Sequence, residues 1–119
     1  YSFAIRPVLD DRLIGLIEIE GIYWSQRTGW LGIAIGEESM RGQGYGTEAM
    51  RLILDFAFRE LNLHRIQLSV FAYNLPAIAL YDKVGFTREG AHRAYLHRDG
   101  ERHDMIVFSI LRHEWEAQS

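Results

Sequence analysis

RGQGYGTEAM, residues 41–50, places three glycines at alternate positions directly before a run of helix-forming residues. Glycine loses more conformational freedom on folding than any other residue, so Gly42, Gly44 and Gly46 weaken the chain locally. The start of a helix presents unpaired backbone N–H groups and the positive end of the helix dipole, and both attract an anion. Arg41 can add a full positive charge. The stretch therefore predicts a loop that wraps an anion at the beginning of a helix.

The helix that this loop introduces is predicted over residues 47–61. Asp55 and Arg59 form a favourable i,i+4 pair on one side of it. The other side is apolar, because hydrophobic residues recur at helical spacing. These residues are Ala49, Met50, Ile53, Leu54, Ala57, Phe58 and Leu61.

Apolar or alternating stretches predict strands on both sides of that helix. They cover residues 2–7, 13–23, 30–35, 65–73, 93–97 and 105–111. A second, shorter helix is predicted between Pro76, which suits a first helical turn, and Gly85, which suits a helix end. The turn Arg98-Asp99-Gly100 predicts a hairpin near the end of the chain. Strands, helix, strand, helix and hairpin in this order predict a mixed α/β sheet.

Length and composition favour one domain over residues 1–119. There is no cysteine, which excludes a disulfide framework and a cysteine nucleophile. The five histidines show no i,i+4 helical pair, so we expect no metal site. A formal net charge of −3 disfavours nucleic acid as a partner. No stretch is long and apolar enough for a membrane span and no signal peptide opens the chain, so we expect no membrane partner and a cytoplasmic location.

Spacing distinguishes between the common phosphate-binding loops. A P-loop ends in Gly-Lys-Ser/Thr, whereas Gly46 is followed by Thr47 and Glu48. The dinucleotide-binding fingerprint requires a third glycine three residues after the second, and that position is Thr47. What remains is Arg-x-x-Gly-x-Gly, from Arg41 through Gly44 to Gly46. A glycine-rich turn that only reverses the chain is the alternative.

A second motif, YNLPAIALYDKVGF over residues 73–86, follows the loop after one predicted strand. Together the two motifs resemble the GNAT (Gcn5-related) N-acetyltransferases. The first is similar to the family's acetyl-CoA pyrophosphate loop, and the second to its Asn-x-x-Ala-x-x-Leu-Tyr-x-x-x-Gly-Phe segment. The chain from Gly32 to Trp115, with HDMIVFSILRHEW at residues 103–115, resembles the branch that acetylates ribosomal-protein N-termini and the related spermidine acetyltransferases.

The resemblance implies a GNAT-like fold, which is a mixed, mostly antiparallel sheet splayed between its two central strands, with flanking helices. The strands that bear Ile35 and Val70 should separate, so that the pantetheine arm of acetyl-CoA can lie between them. The family also begins with a further strand and a pair of helices, and we expect these to be missing here. An exposed edge at the first strand would then favour a homodimer.

Acetyl-CoA is the co-substrate that the resemblance implies, without a metal. The glycine loop would hold its pyrophosphate, Asn74 would hydrogen-bond its pantetheine arm, and backbone N–H groups near Ile35 would polarise the thioester carbonyl. Taken by itself, Asn74 reads equally well as a turn residue ahead of Pro76. The implied cofactor-binding residues are Ile33, Ala34, Ile35, Arg41, Gly42, Gln43, Gly44, Tyr45, Gly46, Thr47, Asn74, Ala77 and Tyr81.

Acetyl transfer by direct attack requires a neutral amine, a hydrogen-bond donor for the carbonyl oxygen and a proton for the departing thiolate. The resemblance implies Tyr81 as this general acid, and a packing tyrosine is the alternative. A free phenol has a pKa of about 10 and a thiol about 8.5, so the transfer is mildly uphill. The strand before the loop carries no glutamate that could serve as base. Glu18 and Glu20 on the neighbouring strand are the candidates, with Glu37 a poorer one and solvated strand-face charges as the alternative. A water relay in place of a side-chain base also stays open.

The lack of a base on that strand bears on the acceptor. An α-amino group titrates near about 8, whereas a lysine or polyamine nitrogen titrates near about 10 and needs more help. The sequence therefore favours a protein N-terminal α-amine as acceptor, with a polyamine or an amino acid next. The alternative function is a catalytically inactive CoA-binding sensor or partner domain.

Overall fold

The computed structural model describes residues 1–5, 15–35 and 45–118. Within these residues six strands form one sheet, in the order β1-β2-β3-β4-β6-β5. The elements along the chain are β1 (Ser2–Ile5), β2 (Gly15–Tyr23), β3 (Thr28–Ile35), α1 (Tyr45–Asp55) with a π-helical turn (Phe56–Glu60), β4 (Arg65–Phe71), α2 (Leu75–Val84), β5 (Thr87–Arg98), β6 (Glu101–Leu111) and α3 (Arg112–Glu116).

The sheet is mixed and mostly antiparallel, as predicted. Every neighbouring pair runs antiparallel except β3 and β4, which run parallel. Side chains alternate between the two faces of each strand. The face that carries Ile17, Ile19 and Leu68 packs with α1 and α2 into one hydrophobic core, and we call it the helix face. The opposite face, which carries Glu18 and Trp30, is called the outer face.

The pairing of β3 with β4 covers only the first part of both strands. Thr28, Gly29 and Trp30 pair with residues 65–67. Beyond Trp30, β3 continues to Ile35 along β2, and β4 continues to Phe71 along β6, with no further β3–β4 pair recorded between these described segments. The two central strands therefore splay apart, and the separation predicted for the strands of Ile35 and Val70 is confirmed.

The first helix differs from the prediction of residues 47–61 at both ends. It begins at Tyr45, and its last turn is π-helical, where the Leu61 N–H donates to the Phe56 carbonyl at 3.1 Å. This wider turn buries Phe58 in the core and brings the Phe56 ring to 5.3 Å from the ring of Phe3 on β1. A contact with a distant strand leaves no trace in local periodicity, so the pattern predicted an uninterrupted helix.

Local signals located the second helix and the hairpin correctly. Pro76 lies in the first turn of α2, and Gly85 ends it with φ +107°, a conformation that glycine adopts without strain. Asp99 and Gly100 both have positive φ in the two-residue turn between β5 and β6. The predicted strand over residues 93–97 was too short, because β5 is exposed along nearly all of its length and lacks an apolar alternation. The short helix α3 was not predicted.

Candidate active site

A cavity of about 470 Å³ opens where the end of β3, the start of α1 and one side of α2 meet. These elements converge because β3 and β4 have separated at this end of the sheet. Six residues that the sequence assigned to cofactor binding line the cavity together. They are Ile33, Gly46, Thr47, Asn74, Ala77 and Tyr81.

Other predicted cofactor residues are described in part or not at all. Ala34 and Ile35 end β3 and Tyr45 begins α1, but their side chains lie outside what the structure describes. Arg41, Gly42, Gln43 and Gly44 lie outside the described residues altogether. Gly46 is buried in the first turn of α1, so the positive end of that helix lies at the cavity. The pyrophosphate loop stays a prediction. The helix that it was predicted to precede does begin beside the cavity.

Four cavity residues were missed by the sequence reasoning: Pro76, Ala79, Leu80 and Lys83. All four lie on α2, where residues three and four apart share one side of the helix. The spacing from Pro76 through Ala79 and Leu80 to Lys83 could have revealed this side of the helix. Lys83 matters most, because its ammonium adds a positive charge to a cavity predicted to receive phosphates.

Tyr81 is held by packing, with 5% of its surface exposed. Its ring centroid lies 5.7 Å from that of Phe108 and 5.9 Å from that of Phe86. No hydrogen bond joins its hydroxyl to another described residue. Burial raises the pKa of Tyr81 to about 12, since the anion would lose its hydration. The phenol therefore stays protonated at any physiological pH and is available as a donor.

The raised pKa of Tyr81 bears on the expectation of a mildly uphill proton transfer, which stays a prediction. Against a thiol of about 8.5, a phenol at about 12 makes complete transfer cost about 5 kcal/mol rather than about 2 kcal/mol. Burial also raises the pKa of the departing thiol, so the difference between the pKa values of the phenol and the thiol is smaller inside the cavity. Donation of a hydrogen bond to the sulfur, with transfer as the thiolate develops, suits this tyrosine better than transfer in advance.

Asn74 serves as the N-cap of α2, a structural role that the sequence analysis did not assign to it. Its Oδ1 accepts a hydrogen bond from the Ala77 backbone N–H at 3.3 Å. An N–H donor must face the carbonyl oxygen of the amide, so the Asn74 NH₂ group points the other way. The same residue lines the cavity. One end of the amide can thus cap the helix while the other end donates to a pantetheine carbonyl.

Substituting Asn74 with aspartate separates these two roles. An aspartate keeps an oxygen for the cap but removes the NH₂ donor, so the free energy of unfolding should stay within about 0.5 kcal/mol of wild type. The Kd for acetyl-CoA should rise about fivefold, which corresponds to one lost hydrogen bond of about 1 kcal/mol. Chemical denaturation and calorimetry measure the two quantities. Asn74→Ala is the control, since it should lose both the cap and the affinity. An unchanged Kd in Asn74→Asp would restrict this residue to capping.

Glu18 and Glu20 lie on the outer face, with the sheet between them and the ring of Tyr81. Glu18 pairs across the sheet with Gly32, and Glu20 pairs with Trp30. Neither is among the described residues that line the cavity. The structure therefore does not bring the two carboxylates together with Tyr81. The two carboxylates are neighbours on the outer face of β2, but Glu18 lies opposite the splayed part of β3 and Glu20 opposite the part that still pairs with β4.

Neither a metal cluster nor a membrane-spanning helix occurs in the described part of the chain. No group of three histidine, aspartate or glutamate side chains there is arranged to hold a metal ion. No helix among residues 1–5, 15–35 and 45–118 has the length and hydropathy that a membrane crossing needs.

The sequence model of the acetyltransferase (GNAT) family matches residues 2–86. The chain belongs to the GNAT family. This match takes in the splayed strands, the start of α1 and the whole of α2, so the elements around the cavity are those of a GNAT domain. GNAT acetyltransferases use acetyl-CoA as co-substrate.

Relatives of this GNAT domain agree with the branch predicted from the sequence. It is 38% identical over 112 residues to the "Probable N-acetyltransferase YjcK" of Bacillus subtilis, covering 93% of this chain and 61% of that protein. It is 32% identical to the "Putative ribosomal N-acetyltransferase YdaF" of the same organism, covering 92% of this chain and 59% of that protein. The chain thus spans about 60% of the length of these curated relatives.

Solved structures show the same fold. A variant of the spermidine N-acetyltransferase SpeG from Vibrio cholerae superimposes with a TM-score of 0.87 at 29% identity. The match covers 98% of this chain and 68% of that one. The GNAT-like sheet predicted from the two motifs is therefore confirmed for the described residues.

Proposed function

We propose that this GNAT domain transfers the acetyl group of acetyl-CoA to a primary amine. One observation carries the proposal: the cavity brings Ile33, on the part of β3 that has separated from β4, together with the start of α1 and with Tyr81. Among residues 1–5, 15–35 and 45–118, no strand pairs with the backbone N–H and C=O groups on the facing edges of the splayed strands. A pantetheine arm carries amide groups that can bond to such edges, in the way that an added strand does.

Each part of acetyl-CoA has a complementary part of the cavity. The positive start of α1 and the Lys83 ammonium suit its phosphates. A volume of about 470 Å³ lies within the range of small-molecule sites. The Asn74 amide can donate to the arm, and the Tyr81 hydroxyl can donate to the sulfur that leaves. The substrate supplies an activated acetyl thioester, so the protein needs to position the amine, polarise the carbonyl and protonate the leaving group.

We assign the base to Glu18. It lies opposite Gly32, at the level where β3 and β4 have separated, whereas Glu20 lies opposite Trp30, where they still pair. A carboxylate at this level can take a proton from an ammonium that approaches from the outer face. This assignment removes the reason for preferring an α-amine, which was the lack of a base.

The acceptor that fits best is a small amine with more than one positive charge. Glu18 and Glu20 place two carboxylates on one strand of the outer face, and the adjacent Trp30 ring is 39% exposed. Carboxylates and an aromatic face both attract ammonium groups. The similarity to a spermidine N-acetyltransferase points the same way. A protein N-terminal α-amine is the second candidate, because the chain is also similar to YdaF.

Calorimetry and thiol release test the proposal on the intact chain. Acetyl-CoA should bind with one site per chain, and thiol should be released on addition of spermidine more rapidly than with alanine or a short peptide whose N-terminus is unblocked. Faster turnover with the peptide would reassign the acceptor to an α-amine. Binding with no turnover on any of these amines would support a CoA-binding sensor. An absence of binding would overturn the proposal as a whole.

A further inference from the structure

We infer that Gly32 controls the acceptor's access to the thioester, by leaving an opening in the outer face beside Glu18. The inference rests on the proposed function, and it adds a residue that determines which acceptors fit. Gly32 lies on β3, two residues past the last pair between β3 and β4. Its neighbours Leu31 and Ile33 turn to the helix face, so Gly32 belongs to the outer face together with Trp30.

The fold itself gives no reason for a glycine here. A Cβ added to Gly32 would meet no heavy atom of the described residues within 4 Å. At Gly29, three residues earlier, an added Cβ would lie 3.3 Å from Leu63 and 3.4 Å from Ile19, so there the core leaves little room for a side chain. Gly32 also lacks the positive φ of Gly21, which would exclude other residues. Glycine weakens a strand, and a glycine without a packing or backbone reason is a position that a ligand or another backbone can approach closely. Gly90 on β5 is equally open, so what distinguishes Gly32 is its position beside the separated part of β3 and β4.

Position identifies the ligand as the acceptor rather than the co-substrate. The cavity assigned to acetyl-CoA lies on the helix face of the sheet, where Ile33 and Tyr81 line it. An attacking amine has to reach the carbonyl carbon from a side that neither the leaving sulfur nor Tyr81 occupies. The outer face beside Gly32 offers that side, and the Glu18 carboxylate directly across the strand pair can receive the amine's proton.

Gly32→Val tests the inference, with Gly90→Val as the matched control. Both glycines lie in strands, neither has a positive φ, and at both an added Cβ would meet nothing within 4 Å among the described residues. One difference is that Gly90 lies at a shift of register between β5 and β6. Valine favours strands, so neither variant should lower the melting temperature. The Kd for acetyl-CoA should stay within about twofold in both. Only Gly32→Val should raise the KM for the acceptor, by roughly 10- to 100-fold, because the amine can no longer reach an attacking position.

The acceptor KM is measured with each amine that supports turnover. The amines to be tested are methylamine, spermidine, alanine and a peptide with an unblocked N-terminus. Gly32→Ala should lie between wild type and Gly32→Val, and the effect should be smallest for methylamine. A Gly32→Val variant with an unchanged acceptor KM overturns the inference while the proposed function stands. A lower melting temperature in Gly32→Val alone also overturns it, since the glycine would then serve packing. A wild-type chain that shows no turnover with any acceptor overturns both, and that result is visible before any variant is made.

Discussion

Tyr81→Phe should lower kcat by roughly 10²- to 10⁴-fold while the Kd for acetyl-CoA stays within about twofold. The variant removes only the hydroxyl, and the ring that packs against Phe86 and Phe108 remains. The thiolate would then leave without a donor. Single-turnover thiol release and calorimetry give the two quantities. Tyr95→Phe is the matched control, because Tyr95 is 61% exposed on β5 and should behave as wild type.

The raised pKa of Tyr81 adds a pH signature to this prediction. With the pKa at about 12, the acid stays protonated below about pH 10, so activity should rise as the amine deprotonates and should not fall again by pH 10. An unfolded tyrosine has a pKa of about 10. The folded chain therefore holds this proton more tightly, and the stability it contributes below about pH 10 is lost as the pH rises toward about 12. Tyr81→Phe should lack that loss. A variant with a much weaker Kd and an unchanged rate per bound complex would contradict the assignment.

Leu54→Ala should lower the free energy of unfolding by about 2–5 kcal/mol. Leu54 has no exposed surface, and α1 packs it against the helix face of the sheet, so truncation removes buried area and leaves a cavity. This is a large share of a typical domain stability of about 5–15 kcal/mol. Urea denaturation followed by circular dichroism measures the change.

Leu52→Ala is the matched control for this variant. Leu52 lies two residues earlier on the same helix and is 67% exposed, so its truncation should change stability by no more than about 0.5 kcal/mol. The comparison cancels the helix propensity of the two residues, which is equal. A similar loss in the free energy of unfolding for both variants would show that the side of α1 bearing Leu52 is also buried against other protein surface.

Prediction from sequence succeeded where neighbouring residues carry the signal. Pro76 and Gly85 bound α2 because a missing N–H and a positive φ are properties of single residues. The pair Asp99 and Gly100 fixed the hairpin turn for the same reason. The apolar spacing of α1 found the core residues, and Asp55 with Arg59 forms the expected ion pair at 2.9 Å. Each of these features depends only on residues that lie no more than four positions apart in the sequence.

The candidate site was predictable only in part, because its chemistry depends on segments that lie far apart in the chain. One cavity is lined by Thr47, Asn74 and Tyr81, three residues to which the motifs pointed. The role of Asn74 as a cap and a donor at once required the direction of its amide. Lys83 was missed, since a single lysine near the end of a helix is ordinary until the neighbouring cavity is known.

The sequence by itself determined the two helices, the hairpin, the α/β character and the family, all of which follow from local backbone preferences and short motifs. Only the tertiary structure decided that β3 and β4 part after Trp30, that Glu18 rather than Glu20 lies beside the opening, and that Tyr81 is buried deeply enough to raise its pKa to about 12. Desolvation and the register of a strand pair are set by residues distant in the chain. A local pattern contains neither of them, because both exist only after the sheet has formed.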